Sequence, residues 1–288
     1  MEKWLVVTDL DGTLLDETYP VEAAAEALAT LAKARPVSIA LASSKTLAEM
    51  QVLSALCPVP LFFLFENGAG VAWPTNSLAD RGDVVVRTHQ VQRLGKDYVH
   101  IRFVLNQLRA QGFKFRGFGD MTDREVAERT GLGIPDAGRA RQRVMTEPLL
   151  WQGTDVGLER FKQALKEKGL TLQLGGQFYH VSSANDKAAA LTSLVSRLAS
   201  STGQTPKILA CGDAPNDLAM LEAADRALVF PGSDSSYLAP RGVVVNQAVR
   251  AGPGEWLAGV LGLLSDVLNP SQEDGLQQSM LAAGAIQR

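Results

Sequence analysis

The stretch Trp4-Leu5-Val6-Val7-Thr8-Asp9-Leu10-Asp11-Gly12-Thr13-Leu14-Leu15 constrains this chain more than any other. Trp4 to Val7 carry no charge and are aromatic or aliphatic, in a run too short for a helix. They read as a buried strand. The run ends abruptly in two aspartates one residue apart. In an open α/β sheet, the C-terminal edge of the strands is where ligands bind. Side chains alternate along a strand, so Asp9 and Asp11 share a face if extension persists to Asp11. Two neighbouring carboxylates repel each other, and a cation or a shared proton is needed to hold them together. A strand ending this way suggests a divalent metal and a carboxylate nucleophile. The competing reading is a hairpin turned at Asp11-Gly12. Thr13-Leu14-Leu15 makes a poor partner strand for it, and a helical pattern follows.

At 288 residues the chain can bury a large core, as one big domain or two smaller ones. The net charge of −3 and pI near 5.7 argue against a nucleic-acid partner. Cys57 and Cys211 match no ligand spacing and sit among apolar residues, so they read as small buried hydrophobes. The start of the chain lacks the basic and apolar regions of a secretory signal. No apolar run approaches the ~20 residues that span a bilayer. The cytoplasm is the expected compartment, with no membrane partner. Three histidines with no His/Cys cluster make zinc a poor fit, and a hard cation on oxygen ligands a better one.

Beyond the first strand, Tyr19-Pro20-Val21-Glu22 opens a helix striped with Ala23, Ala27, Leu28 and Leu31. Residues 37–42 form a second strand ending in Ser43-Ser44-Lys45-Thr46. A helix follows over 47–56, and a third strand over 61–65 ends in Glu66-Asn67-Gly68. Strands alternating with helices predict a parallel sheet covered on its faces. The pattern then changes. A short strand over 82–87 and a helix over 100–111 precede a half-exposed strand over 113–118. Thr122 and Glu125 form a capping box, 144–151 reads as a strand and 158–168 as a helix. Gly175-Gly176 turns a hairpin between 171–174 and 178–181. The α/β pattern returns with a helix from Lys187 and a strand over 207–211 that ends in Gly212-Asp213-Ala214-Pro215-Asn216-Asp217. A helix over 218–224, strands over 226–230 and 242–245 and a helix over 255–268 complete it. The expected organisation is a sheet domain built from residues 1–87 and 185–270, an inserted α+β domain over 88–184, and a frayed tail over 271–288.

Three strands therefore end in polar clusters: Asp9/Asp11, Ser43/Lys45 and Asp213/Asp217. In one parallel sheet these clusters lie along a single edge, and Lys187 can join them. Carboxylates with a hydroxyl and lysines suit Mg²⁺ and a phosphoryl group. Other readings stay open. Ser43 could cap the following helix, and Asp217 could cap the helix after it. Lys187 could be a solvated helix residue, and Glu66-Asn67-Gly68 a plain turn.

In this order, Asp9-Leu10-Asp11-Gly12-Thr13, a hydroxyl after the second strand, a lysine before the last α/β unit and Gly-Asp-x-x-x-Asp resemble the haloacid dehalogenase superfamily of phosphohydrolases. The insertion between the second and third motifs is similar to the C2-type cap of its Cof-like branch. The resemblance implies a Rossmann-like core with an α+β cap, Mg²⁺ as cofactor and an aspartyl-phosphate intermediate. It makes Asp9 the nucleophile and Asp11 the general acid and base. Ser43 becomes a phosphoryl contact, and Lys187 balances charge. The metal falls to Asp9, Asp213 and the Asp11 backbone carbonyl, with Asn216, Asp217, Glu66 and Asn67 in support.

Within that branch, Ser43-Ser44-Lys45-Thr46, residues 121–127, Arg143 to Pro148 and Gly175 to His180 resemble mannosyl-3-phosphoglycerate phosphatases. This implies a small phosphorylated sugar-acid as substrate and mannosylglycerate, a compatible solute, as product. Such a substrate is anionic, so the site must supply cations and donors. Ser44, Lys45, Arg143, Gln177, Tyr179 and His180 are the candidates, although Arg143 on a strand could be merely solvated. The alternatives are a general sugar-phosphate phosphatase, a phosphomutase, or a non-catalytic phosphometabolite-binding protein. The sequence does not choose between monomer and homodimer.

Overall fold

The structure is a computed structural model that describes residues 3–16, 20–78, 82–175, 177–183 and 186–267. The tail expected to fray, 271–288, lies outside these residues. In chain order the elements are β1 (Trp4–Thr8), α1 (Val21–Ala34), β2 (Val37–Ala42), α2 (Leu47–Leu56), β3 (Leu61–Phe65), β4 (Gly70–Pro74), β5 (Val84–Val86) and β6 (His89–Arg93). Then come α3 (Tyr98–Ala110), β7 (Phe115–Gly117), α4 (Asp123–Thr130), α5 (Ile134–Ala140), β8 (Glu147–Trp151), α6 (Asp155–Glu167), β9 (Thr171–Gly175) and β10 (Phe178–Ser182). The chain closes with α7 (Lys187–Thr202), β11 (Lys207–Gly212), α8 (Leu218–Glu222), β12 (Arg226–Val229), β13 (Val244–Gln247) and α9 (Pro253–Leu263). Among the described residues, no helix is long and apolar enough to cross a membrane.

These residues fall into two compact units. One takes in residues within Met1–Ala40, Leu53–Leu61 and Gln204–Arg288, the other those within Leu41–Val52 and Phe62–Gly203. In the first unit the strand order is β13-β12-β11-β1-β2. β1 pairs in parallel with β11, Trp4 opposite Lys207 and Thr8 opposite Cys211, and β11, β12 and β13 continue in parallel. A strand covered on both faces must be apolar throughout, and Leu5, Val6 and Val7 are fully buried. Ala24, Leu28 and Leu31 give α1 its buried stripe. That helix ends at Arg35, where the following proline forces extended backbone, φ −141° and ψ 144°. Trp256 of α9 donates its Nε1–H to Thr8 Oγ1 at 2.9 Å and so fixes the end of β1.

In the second unit β3, β4, β6 and β5 are neighbours in that order, and a separate sheet runs β7-β8-β10-β9. Alternation along β10 splits its environment. Val181 joins Ile101, Leu105, Phe161 and Leu165 of α3 and α6, while Phe178 joins Phe118, Met121, Val126 and Ala137 towards α4 and α5. The expected hairpin is present, with Phe178 opposite Gly175. So is the capping box of α4, where Thr122 and Glu125 bond reciprocally.

Three local expectations change. Extension does not persist to Asp11: β1 ends at Thr8, and Leu15 N–H turns back to Leu10 O at 2.7 Å. The unit after β3 is a hairpin to an antiparallel β4, with Phe63 opposite Ala72. Glu66 and Asn67, with φ of 52° and 57°, and Gly68 at 82° make that reversal, a left-handed turn that sequence periodicity does not report. Finally, β4, β6 and α5 form where the sequence suggested loops. β6 alternates buried His89 and Val91 with polar neighbours over only five residues, too few to stand out.

Candidate active site

The first unit assembles its acidic centre from two adjacent parallel strands. Where β1 ends, Asp9 N–H donates to Cys211 O at 2.9 Å, which sets Asp9 beside the end of β11. One carboxylate oxygen from each of Asp9, Asp213 and Asp217 lies within 4.8 Å of the other two. Asp9 is 6% exposed and Asp217 fully buried, whereas Asp11 is exposed. The exposed Asn216 lies beside them in a 3-10 turn over Pro215–Asp217.

Asp217 does not cap the helix it precedes. Its Oδ2 accepts from Asp213 N–H and Ala214 N–H at 3.2 and 3.1 Å and thus closes the loop that carries Asp213. Gly212 has to lack a side chain there, because a Cβ would stand 2.6 Å from that of Asp217. Thr13 Oγ1 donates to Asp213 Oδ1 at 3.0 Å. Gly12, at φ 80°, makes room for the same carboxylate: a Cβ on it would sit 2.5 Å from Asp213 Oδ2. Three carboxylates held this closely, two of them buried, repel unless a cation or protons intervene. An all-oxygen set suits a hard divalent ion, so the donor chemistry fits the expected metal.

The second unit places the remaining core candidates. Ser43 is buried, and its hydroxyl accepts from Lys45 N–H at 3.2 Å. It is not the helix cap. Thr46 caps α2: its Oγ1 accepts from Glu49 N–H and the Glu49 carboxylate accepts from Thr46 N–H. Ser44 and Lys45 are half-buried beside it. Lys187 opens α7 behind the cap residue Asp186 and is 1% exposed. A solvated surface lysine is therefore excluded, and burial of its ammonium requires anionic or dipolar compensation. Glu66 is equally buried. Its carboxylate accepts from Val144 N–H (2.9 Å), Met145 N–H (3.0 Å) and Thr146 Oγ1 (2.7 Å), so the loop is more than a plain turn.

The substrate-side candidates divide. Arg143 is not solvated: its side chain is 6% exposed, Nε donates to Ala140 O and Nη1 to Ser44 O at 2.7 Å. Gln177 Nε2 donates to Arg129 O at 2.8 Å. Tyr179 packs against the α3/α6 cluster. His180 is buried, and its Nδ1 finds no partner among the described residues. Burial, reinforced by the nearby Arg143 charge, pushes its pKa down from 6.5 to about 3. The imidazole is thus neutral at pH 7 and does not serve as a cation.

That depression has a sign in stability. Below pH 6.5 the unfolded chain protonates His180 and the folded one does not, so the stabilisation present above 6.5 is lost as pH falls towards 3. Between pH 6.5 and 5 the loss from this residue should be about 2 kcal/mol. In His180→Gln the difference between the unfolding free energies from urea titrations at the two pH values should shrink by that amount.

Two features escaped sequence reasoning. Thr13 sat in the motif without a role, and only the approach of Asp213, two hundred residues away, gives it one. Glu147 is fully buried and binds Tyr98 Oη (2.8 Å), Arg102 Nη1 (2.7 Å) and Gly119 N–H (2.9 Å). A lone acid in an apolar strand carries no signal of partners so far along the chain.

No family model matches the chain. It is 32% identical over 271 residues to a glucosyl-3-phosphoglycerate/mannosyl-3-phosphoglycerate phosphatase of Methanococcoides burtonii, covering 91% of this chain and 97% of the relative. A protein of the same name from Persephonella marina is 28% identical over 270 residues, 91% and 98% of the two chains. Among solved structures, a haloalkanoate dehalogenase superfamily phosphatase from Bacteroides thetaiotaomicron superposes with a TM-score of 0.59 at 19% identity, covering 91% and 94%. The sucrose-phosphatase of Synechocystis does so at 0.56 and 16%, covering 91% and 98%. At these identities the structural likenesses speak for the fold, and the sequence relatives carry the family. The chain belongs to the glucosyl-3-phosphoglycerate/mannosyl-3-phosphoglycerate phosphatase family, a family of phosphatases, on the haloacid dehalogenase fold.

Proposed function

We propose that this protein is a Mg²⁺-dependent phosphomonoesterase that removes phosphate from a glycosyl-3-phosphoglycerate, mannosyl-3-phosphoglycerate foremost, in the cytoplasm. The observation that carries this reading is the near-full-length match to relatives of that name, together with the Asp9–Asp213–Asp217 cluster at the ends of β1 and β11.

An Asp9 carboxylate oxygen attacks phosphorus in line, and the bond from phosphorus to the substrate oxygen breaks. Asp11 gives its proton to that oxygen, so a neutral alcohol leaves. The same carboxylate then takes a proton from a water molecule, whose oxygen attacks the aspartyl-phosphate and releases phosphate and Asp9. Exposure of Asp11 suits a group that trades protons with substrate and water, and near-complete burial of Asp9 suits one that attacks and ligates without exchanging protons. Asp9, Asp213 and the Asp11 carbonyl would hold Mg²⁺, which would neutralise charge on the phosphoryl oxygens. Asp217 and Thr13 hold Asp213 in place for it. Ser43 donates to the phosphoryl group, and Lys187 offsets its charge.

The deciding experiment is a panel of phosphate esters assayed with Mg²⁺, with EDTA and with Mg²⁺ restored. Mannosyl-3-phosphoglycerate and its glucosyl analogue should rank first, chelation should abolish turnover, and the metal should restore it. A better rate on hexose phosphates would overturn the substrate. A phosphoenzyme that accumulates without releasing phosphate would indicate a mutase. Undiminished activity in EDTA would remove the metal.

A further inference from the structure

The turn Glu66-Asn67-Gly68 joins three pieces of the second unit that the chain itself keeps apart. Its backbone reaches the second motif: Glu66 N–H donates to Lys45 O and Asn67 N–H to Ser43 O, both at 2.9 Å. The carbonyl between them, Ser44 O, accepts from Arg143 Nη1. Three successive carbonyls of Ser43-Ser44-Lys45 are therefore held. The Glu66 side chain points the other way along the same connection. Its two oxygens take the three donors of Val144-Met145-Thr146, directly after Arg143. Thr46 Oγ1 adds a bond to Arg139 O at 3.0 Å. Gly68 closes the third side: a Cβ there would lie 2.2 Å from Asp186 O and 2.9 Å from Lys187 N, so the turn abuts the start of α7.

The backbone shows that this arrangement is imposed. Left-handed φ, which Asn67 tolerates, is disfavoured for a residue such as Glu66. It persists where surrounding contacts over-determine it, and such sites cluster where geometry serves function. A carboxylate 1% exposed, with three donors, is the strongest of those contacts. The order of the bonds then matters. Glu66 fixes residues 144–146, which fixes Arg143, which fixes Ser44 O.

We infer that Glu66 is a positioning residue for phosphoryl binding, acting with Arg143 to hold the Ser43–Lys45 backbone, and that Arg143 serves this role in place of a substrate contact. The inference rests on the phosphatase reading and is independent of the sugar. It also reassigns Arg143: both its Nε and Nη1 already serve main-chain carbonyls.

The test compares Glu66→Gln, Arg143→Lys and Thr146→Val with the wild type on p-nitrophenyl phosphate and on mannosyl-3-phosphoglycerate. Binding of inorganic phosphate is measured by calorimetry alongside. Glu66→Gln replaces one acceptor oxygen with a donor that faces another donor. Its kcat/KM should fall 10–100-fold, by the same factor on both esters, and the Kd for phosphate should rise about tenfold. Arg143→Lys should show the same equal loss, and the double variant should lose little more than either single one, because the two act through one connection. Thr146→Val removes one hydroxyl donor. It should cost three- to tenfold and keeps the test open if Glu66→Gln does not fold. An Arg143→Lys loss confined to the sugar ester would make Arg143 a substrate contact and overturn the inference. So would a folded Glu66→Gln or Thr146→Val with unchanged kcat/KM and unchanged phosphate affinity. Wild-type protein that turns over neither ester refutes the phosphatase reading, and phosphate calorimetry then decides the positioning role alone.

Discussion

Asp9→Asn should abolish phosphate-ester turnover, by about a thousandfold or more, in a protein that melts no lower than the wild type without metal. The substitution is nearly isosteric. It leaves the Asp9 N–H bond to Cys211 O in place, along with the buried packing of β1. It removes the anionic oxygen that would attack phosphorus, and loss of a nucleophile costs the whole covalent route at once. Folding responds in the opposite direction. Asp9, Asp213 and Asp217 bring three carboxylate oxygens within 4.8 Å of one another, so removing one charge relieves repulsion in the metal-free protein. The same substitution should weaken the metal. Saturating Mg²⁺ raises the melting temperature of any protein it binds only when folded, and that increment should shrink in Asp9→Asn. Initial rates and thermal midpoints, each with and without Mg²⁺, give both readouts from one preparation. Full activity in the variant would remove Asp9 from the chemistry.

The sequence shows the ends of this site better than its frame. Asp9 and Asp213 can be read because each follows an uninterrupted apolar strand, and a charge at the end of such a run is conspicuous. That β1 and β11 share a parallel sheet follows from the α/β pattern, whereas their being neighbours comes from the pairing itself. What could not be read is side-chain traffic between distant segments. Asp217 looks like a forward helix cap, yet it bonds backwards to Asp213 and Ala214, a choice made by the 3-10 turn over Pro215–Asp217. Ser43 could be the cap of α2 as well as a phosphoryl contact, and Thr46 with Glu49 takes the capping task three residues later. Arg143 looks like a solvated strand residue. The carbonyls of Ala140 and Ser44, the Thr146 hydroxyl and the Glu49 carboxylate show why it is buried. Local rules reach as far as the next turn of chain, and these residues are set by partners beyond it.

The buried Glu147 provides a second large effect, on stability. Its carboxylate is fully enclosed, while the side chains of its partner Arg102 and of Asp120 are each 20% exposed. Burial pushes the Glu147 pKa up, opposed by the Gly119 amide, the Tyr98 hydroxyl and the Arg102 charge. Desolvation outweighs the attractions, so the charge itself adds little, but truncating it strands every group built around it. Gly117 and Gly119 show how tightly the turn after β7 fits these side chains. A Cβ on Gly117 would collide with Glu147 Oε1, and one on Gly119 would stand 2.5 Å from Tyr98 Oη. Glu147→Ala leaves Tyr98 Oη, Gly119 N–H and one guanidinium nitrogen without this acceptor. Removing one member of a buried pair costs ~3–5 kcal/mol, and the lower end applies here because Arg102 keeps Asp120. A loss of about 3 kcal/mol should lower the melting temperature by roughly 10 °C in a protein of this size. Glu147→Gln keeps one acceptor and removes the desolvated charge, so its loss should be about half as large. Equal losses in the two variants would mean that charge, rather than enclosure, sets the stability of this network. At 25 °C, where both variants remain folded, kcat/KM should be unchanged. Glu147 binds Tyr98, Arg102 and the turn at Gly119, and none of these belongs to the phosphoryl chemistry assigned to Asp9, Asp11 and Lys187.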